Sequence, residues 1–168
     1  MERVIICGTD AHDNTTVNRI GVGGLNPETH IYGNTRNGRQ QLFGCLKQLA
    51  KQHGIQRMVL AYEASTLGFG LYDECVKAGI ECYVLAPTKI RKAVKDKKRK
   101  TDIHDAQLIL ETLKGHILAG NELPKIWIPD RQTRDDRELV RCRLDAADKL
   151  VEVKTQVQTL LKRNAVVK

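Results

Sequence analysis

Arg3-Val4-Ile5-Ile6-Cys7-Gly8-Thr9-Asp10, then Thr15-Thr16-Val17-Asn18-Arg19-Ile20-Gly21-Val22-Gly23-Gly24 after a short polar break, is the stretch on which the fold turns. The first run is apolar and stops at Thr9-Asp10. The second is rich in β-branched residues and stops at Gly23-Gly24, and Thr29 to Asn34 forms a third short run. No Asn-Gly signal joins the first two runs, but Asp13-Asn14 and Asn26-Pro27 supply two turns. The spacing predicts three strands in an antiparallel meander.

Beyond residue 34 the period changes. Leu42, Leu46, Leu49 and Ala50 recur at helical spacing, with Gly54 as a stop. Arg57 to Tyr62 reads as a buried strand. Leu71, Cys75 and Ala78 mark a second helix stopped by Gly79, Ile80 to Leu85 a further strand, and Pro87 the opening of a short helix through Val94. The order β-β-β-α-β-α-β-α is that of the RNase H-like (RuvC-like) fold. It predicts an α/β domain with a mixed central sheet flanked by helices.

Three segments depart from this alternation. Lys89, Arg91, Lys92, Lys95, Lys97, Lys98, Arg99 and Lys100 crowd into one window with a single acid, Asp96. Leu123 to Pro129 reads as a connector, with Trp127 expected to dock it to the core. From Arg134 to about Lys162 there is no Pro or Gly, and Leu139, Ala146, Val153 and Leu160 fall seven apart with Leu150 and Val157 between them. That is a heptad-like seam on a long coiled-coil-type helix. The expected organisation is a catalytic domain over 1–122, a connector over 123–133 and an oligomerisation helix over 134–168.

The 168 residues suffice for one domain with a core and an appendage. A net charge of +8 favours a polyanionic partner. The five cysteines form no C-x-x-C pair, and no Cys/His cluster has zinc-ligand spacing. Most of them sit in apolar patterns, as small buried hydrophobes do. With no secretory pattern at the start and no apolar run of membrane-spanning length, the expected setting is the reducing cytoplasm, with no membrane partner.

The chemistry lies in four acids. Asp10 follows the first strand and Glu63 the fourth. Asp102 and Asp105 lie three apart at a helix start and so share a face. In a sheet of this order the first and fourth strands are neighbours, which brings Asp10 and Glu63 together and lets the helix lay its pair across them. Taken singly, an Asp after a strand is ordinarily a turn residue, and Asp102 suits an N-cap with Asp105 favourable to the helix dipole. Glu63, after Met58-Val59-Leu60-Ala61-Tyr62, has the least structural excuse. Four carboxylates in one cleft repel unless cations sit among them, and hard oxygen donors suit Mg²⁺ or Mn²⁺. Two such ions activate an attacking oxygen and stabilise a leaving one in phosphodiester displacement.

These residues also carry a family resemblance. Gly8-Thr9-Asp10-Ala11-His12, Asn34-Thr35 with Gly38, Tyr62-Glu63-Ala64-Ser65, Ala78-Gly79-Ile80 leading to Pro87, and above all Lys100-Thr101-Asp102-Ile103-His104-Asp105-Ala106 resemble the N-terminal half of the DEDD insertion-sequence transposases. That is the Piv/MooV group, which includes the bridge-RNA-guided recombinases. Arg137-Glu138-Leu139-Val140-Arg141 resembles the start of its coiled-coil region. The resemblance implies a metal-dependent transposase or recombinase with DNA as substrate. It also implies a possible guide RNA, subunits joined through the long helix, and a C-terminal domain bearing a nucleophilic serine. Two features depart from the pattern. Asp13 stands where a Lys is common, and Ser65, the only serine, sits beside Glu63. The chain is therefore expected to be a fragment that needs that second domain.

Two other readings stay open. One is a stand-alone Holliday-junction resolvase of the RuvC type, against which the long helix argues. The other is a non-catalytic nucleic-acid-binding and dimerisation module. His12 and His104 each neighbour a proposed ligand. His104 could reach a phosphate or a metal-bound water, although a plain surface position is the commoner role for such histidines. Gly21, Gly23 and Gly24 make no dinucleotide fingerprint, because no helix follows them directly. The basic window, running into Asp102, points to phosphate contact. Replacing Lys97, Lys98, Arg99 and Lys100 with Ala is expected to weaken nucleic-acid binding across sequences and to flatten its salt dependence by about 0.9 log–log units per lost duplex contact. A titration series in salt reads that slope, and an unchanged slope would place the run in bulk solvent.

Overall fold

The computed structural model describes residues 3–23, 26–90 and 101–166. The chain divides into two units, Met1–Trp127 and Ile128–Lys168. The first contains β1 (Val4–Ala11), β2 (Thr15–Val22), β3 (Glu28–Gly33), α1 (Arg36–His53), β4 (Arg57–Glu63), α2 (Gly70–Lys77), β5 (Glu81–Leu85) and α3 (Asp102–Ala119). One five-stranded sheet has the order β3-β2-β1-β4-β5. β2 pairs antiparallel with β1 and β3, while β4 pairs parallel with β1 and β5. This is the RNase H-like arrangement, with the meander on one side and the α/β units on the other.

Strand pleating sorts the core into two faces. Val4 and Ile6 of β1, Val59 and Ala61 of β4 and Leu85 of β5 pack with Ile109, Leu110 and Leu113 of α3 in one buried cluster. The alternate residues Ile5, Cys7, Thr9, Leu60 and Tyr62 point to the opposite face and are also buried. There Thr9 Oγ1 donates to Asn18 Oδ1 at 2.8 Å. Asn18 Nδ2 lies 3.1 Å from Thr16 Oγ1 and 3.2 Å from the carbonyls of Thr16 and His30. Fully satisfied in this way, the buried amide ties the three meander strands together.

One glycine governs how closely α3 lies on the sheet. A Cβ on Gly8 would stand 2.3 Å from Leu110 N and 2.4 Å from Ala106 O, both backbone atoms of α3. Arg19, the cross-strand partner of Gly8, reaches the same helix, its Nε donating to Gln107 Oε1 at 2.8 Å. Thr101 caps α3, its side chain accepting from His104 N at 3.3 Å. Asp102 is thus not needed as the cap, and both it and Asp105 lie in the first turn, where the helix dipole favours them.

Two expectations need correction. The helix opened by Pro87 is a single 3₁₀ turn, Pro87–Lys89, and Ile90 is already extended at φ −74°, ψ 122° and buried in the core. Residues 91–94 lie outside the described residues. Trp127 does not dock the connector by burial, being 71% exposed. Leu123 is buried instead, and backbone bonds from Ala86 N to Pro124 O and from Ile126 N to Val84 O lay the segment along β5.

The second unit is essentially one helix, α4 (Arg131–Arg163), capped by Asp130, whose side chain accepts from Thr133 N at 2.8 Å. No residue of the helix itself is buried, and Leu139, Leu150, Val153, Val157 and Leu160 are each at least half exposed. No helix among the described residues is long and apolar enough to cross a membrane.

The same substitution at two glycines is expected to have opposite signs. Gly8→Ala drives a methyl into helix backbone and is expected to cost roughly 1–3 kcal/mol or more. Gly44→Ala, on an exposed part of α1 with open space around it, is expected to stabilise by about 1 kcal/mol. Urea denaturation of both variants checks this, and equal effects would show that α3 yields easily over β1.

Candidate metal centre

The pleat that places Val4, Ile6 and Gly8 against α3 places the next alternate residue, Asp10, on the same face beside the start of that helix. In β4 the series Val59, Ala61 continues to Glu63 on the same face. Glu63 lies one residue beyond the Thr9–Tyr62 pair, level with Asp10 in the parallel register. β1, β4 and the first turn of α3 therefore contribute Asp10, Glu63, Asp102 and Asp105 to one end of the sheet. The β1–β2 turn closes this end, with His12 N donating to Thr15 O at 2.8 Å.

Donor atoms of Asp10, His12 and Asp102 all lie within 4.8 Å of one another. His12 Nε2 is 3.0 Å from Asp10 Oδ2 and 3.5 Å from Asp102 Oδ1. The Asp10 side chain is only 15% exposed, against 59% for Asp102. Burial accordingly pushes the Asp10 carboxyl above the ordinary carboxylate range. His12 works against that shift, and the charges of Asp105 and Asp102 add to it. A desolvated carboxylate beside like charges is one whose ionised form a nearby cation would stabilise. The two carboxylates are hard oxygen donors of the kind Mg²⁺ and Mn²⁺ take, and the imidazole adds a nitrogen donor of the kind transition ions take. A groove of about 430 Å³ adjoins the cluster, lined by Ala11 to Thr15 and by Ser65 to Leu67.

Of the four acids singled out in the sequence, Asp10 and Asp102 share this three-donor group. Asp105 is near enough for its charge to act on Asp10, and Glu63 stands beside Asp10 by register. Of the basic window only Lys89 lies within the described residues. It borders a different groove, with Glu111, Thr112 and Gly115 of the later half of α3. Arg91, Lys92, Lys95, Lys97, Lys98, Arg99 and Lys100 lie outside the described residues. His12 is the residue the sequence reading set aside. Its signal was the Asp-x-His spacing, since residues two apart at a strand end share a face.

The polar residues around the turn have structural work. Asn34 Nδ2 donates to His12 O at 2.6 Å, Arg39 Nε to Asn34 Oδ1 at 2.9 Å, and Arg39 Nη1 to Glu74 Oε1 at 3.1 Å. Thr35 caps α1, and a Cβ on Gly38 would meet Gly33 O at 1.9 Å. α1 and α2 thereby brace the turn that carries His12. Ser65 Oγ accepts from Leu67 N at 3.3 Å in the loop after β4.

The chain is similar to several known proteins. A Sinorhizobium fredii (strain NBRC 101917 / NGR234) protein named "Putative transposase y4qE" is 28% identical over 142 residues, covering 84% of this chain. The chain spans about a third (34%) of that relative's length. Among solved structures, Thermus thermophilus RuvC aligns over 73% of this chain and 99% of its own at 12% identity, with a TM-score of 0.48. The T. thermophilus RuvC complex with a Holliday junction substrate aligns over 74% and 99% at 11% identity, with a TM-score of 0.47. The family model described as "Transposase", of the IS110-type DEDD group, matches residues 7–165 and so takes in all four acids. The chain belongs to the IS110-type DEDD transposase family.

Proposed function

We propose that this chain is the RuvC-like catalytic domain of a DNA transposase or recombinase, in which Asp10, Glu63, Asp102 and Asp105 hold Mg²⁺ or Mn²⁺. The observation that carries the reading is the convergence of acids from β1, β4 and the first turn of α3 on one end of the sheet, with Asp10 desolvated among them. Bound there, the ions would neutralise the scissile phosphate and lower the cost of forming an attacking oxygen anion. The chain's own part is to orient the carboxylates. β1 and β4 fix two of them through sheet register, α3 brings the other two, and the braced turn at His12 walls one side.

The wider assembly follows from the same reading. Residues 1–122 serve as the catalytic domain, 123–133 as a connector and 134–168 as an oligomerisation helix. DNA is the substrate, contacted through the basic window of Lys89 to Lys100. A guide RNA and a serine-bearing C-terminal domain complete the strand-transfer reaction, in a cytoplasm that keeps the five thiols reduced. The exposed seam of α4 supports pairing between subunits, since an apolar face on so long a helix needs cover in water.

Replacing an acid by its amide is expected to abolish DNA cleavage in the full-length enzyme while leaving the fold intact, for Glu63→Gln, Asp102→Asn and Asp10→Asn alike. For Asp10 the sign is set by its raised pKa. The folded state holds the proton more tightly than the unfolded one, so the associated stability is present at low pH and lost as pH rises through the folded value. At pH 7 the ionised group opposes folding. Asp10→Asn without metal is therefore expected to melt at the same temperature as the parent or higher, and to lose any rise in Tm that Mn²⁺ produces. An unfolded Asp10→Asn would make the residue structural and overturn its role.

Light scattering tests the helix. The parent chain is expected to be a dimer or larger, and Val153→Asp to dissociate it. A monomer at high micromolar concentration in both would refute pairing through α4.

A further inference from the structure

We propose that His12 is a direct metal donor through Nε2, making the centre a mixed nitrogen–oxygen site that prefers Mn²⁺ to Mg²⁺. The proposal rests on the reading that the acids hold a metal, and it concerns which donors complete the shell and which ion they select.

The geometry suits coordination as well as the hydrogen bond that joins His12 Nε2 to Asp10 Oδ2. One ring nitrogen faces two carboxylates from different elements, Asp10 Oδ2 at 3.0 Å and Asp102 Oδ1 at 3.5 Å. Neighbouring ligands at ~2.1 Å from an octahedral ion lie about 3.0 Å apart, so both separations suit adjacent corners of one coordination shell. All three donors lie within the 4.8 Å that a single ion spans. His12 is held at both main-chain groups, its N–H by Thr15 O and its carbonyl by the side chain of Asn34. Asn34 is in turn held by Arg39, and Arg39 by Glu74 of α2. Helices α1 and α2 thus hold the main chain of a histidine that neither of them contains.

The chemistry then sets the preference. Mg²⁺ is small, keeps to near-ideal octahedral oxygen shells and dehydrates reluctantly, whereas Mn²⁺, a first-row transition ion, accepts a nitrogen donor among its oxygens more readily than Mg²⁺ does. A histidine that only orients Asp10 through a hydrogen bond would affect all divalent ions alike. A histidine that donates its lone pair affects the transition ion selectively.

The experiment uses the 168-residue chain with MnCl₂ and, in parallel, MgCl₂. Pulsed electron paramagnetic resonance of the Mn²⁺ complex is expected to show nitrogen modulation from a coordinated imidazole, altered by ¹⁵N-histidine labelling. The modulation is expected to disappear in His12→Gln and to persist in His104→Gln. Calorimetry is expected to show Mn²⁺ affinity falling about tenfold or more in His12→Gln, with Mg²⁺ affinity much less affected. The spectrum of the labelled parent chain stands even if a variant folds poorly. Mn²⁺ bound without nitrogen modulation would overturn the His12 assignment and leave the acid centre standing. Modulation surviving in His12→Gln would do the same by assigning the nitrogen elsewhere. Equal loss of Mn²⁺ and Mg²⁺ affinity would reduce His12 to a positioning residue. No Mn²⁺ binding by folded parent chain would overturn the metal reading itself.

Discussion

The contact on which the site depends is the backbone of α3 lying directly on β1 at Gly8. The space a side chain would need there is already filled by Ala106 O and Leu110 N. This close approach does two things. It seals the cluster of Val4, Ile6, Val59, Ala61, Ile109, Leu110 and Leu113 with little room for voids. It also sets the height of α3 above the sheet, and so the distance from its first turn to the end of β1. A helix held farther out would keep its hydrophobic contacts only in part, and it would carry Asp102 and Asp105 away from Asp10.

The placement has an electrostatic cost that His12 offsets only in part. Asp10 is the least exposed member of the cluster, and burial together with Asp105 and Asp102 disfavours its charge. Within the protein, His12 is the counterweight. A bound cation would perform the same service more strongly, which is why a site of this kind is less stable without metal than a neutral one of the same shape. The bracing from Glu74 through Arg39 and Asn34 to the carbonyl of His12 gives α1 and α2 a part in the site although neither supplies a carboxylate to it. The motif residues Asn34, Thr35 and Gly38 are thus explained by geometry. One pins the turn, one caps α1, and one lets α1 start against β3.

The second unit obeys different physics. α4 has a clean N-cap and a regular apolar seam but no buried residue. Its hydrophobic pattern is therefore unspent within the described residues, and intrinsic propensity alone holds so long a helix only weakly in water. The basic window before Asp102 is a comparable case. It adds positive charge beside the acids in sequence, while the one member within the described residues, Lys89, faces another groove.

Much was legible in the sequence, because local periodicity and punctuation decide it. The β-branched meander, the helical spacing of Leu42, Leu46 and Ala50, the glycine stops at Gly54 and Gly79 and the four acids at element ends all follow from patterns a few residues long. Where such patterns are weak, tertiary packing decides the outcome. Pro87 opens only one 3₁₀ turn because Ile90 is drawn extended into the core. Trp127, flanked by two isoleucines, is largely exposed, while backbone pairing along β5 and the burial of Leu123 seat the connector. Sheet order follows from element order, but the place of His12 beside Asp10 and Asp102 does not. His12 and Asp102 are far apart in the chain and meet only because α3 packs against Gly8 while Asn34 holds the turn. Nothing local in either sequence segment encodes that distance. It is set by close packing between elements, which the tertiary structure alone decides.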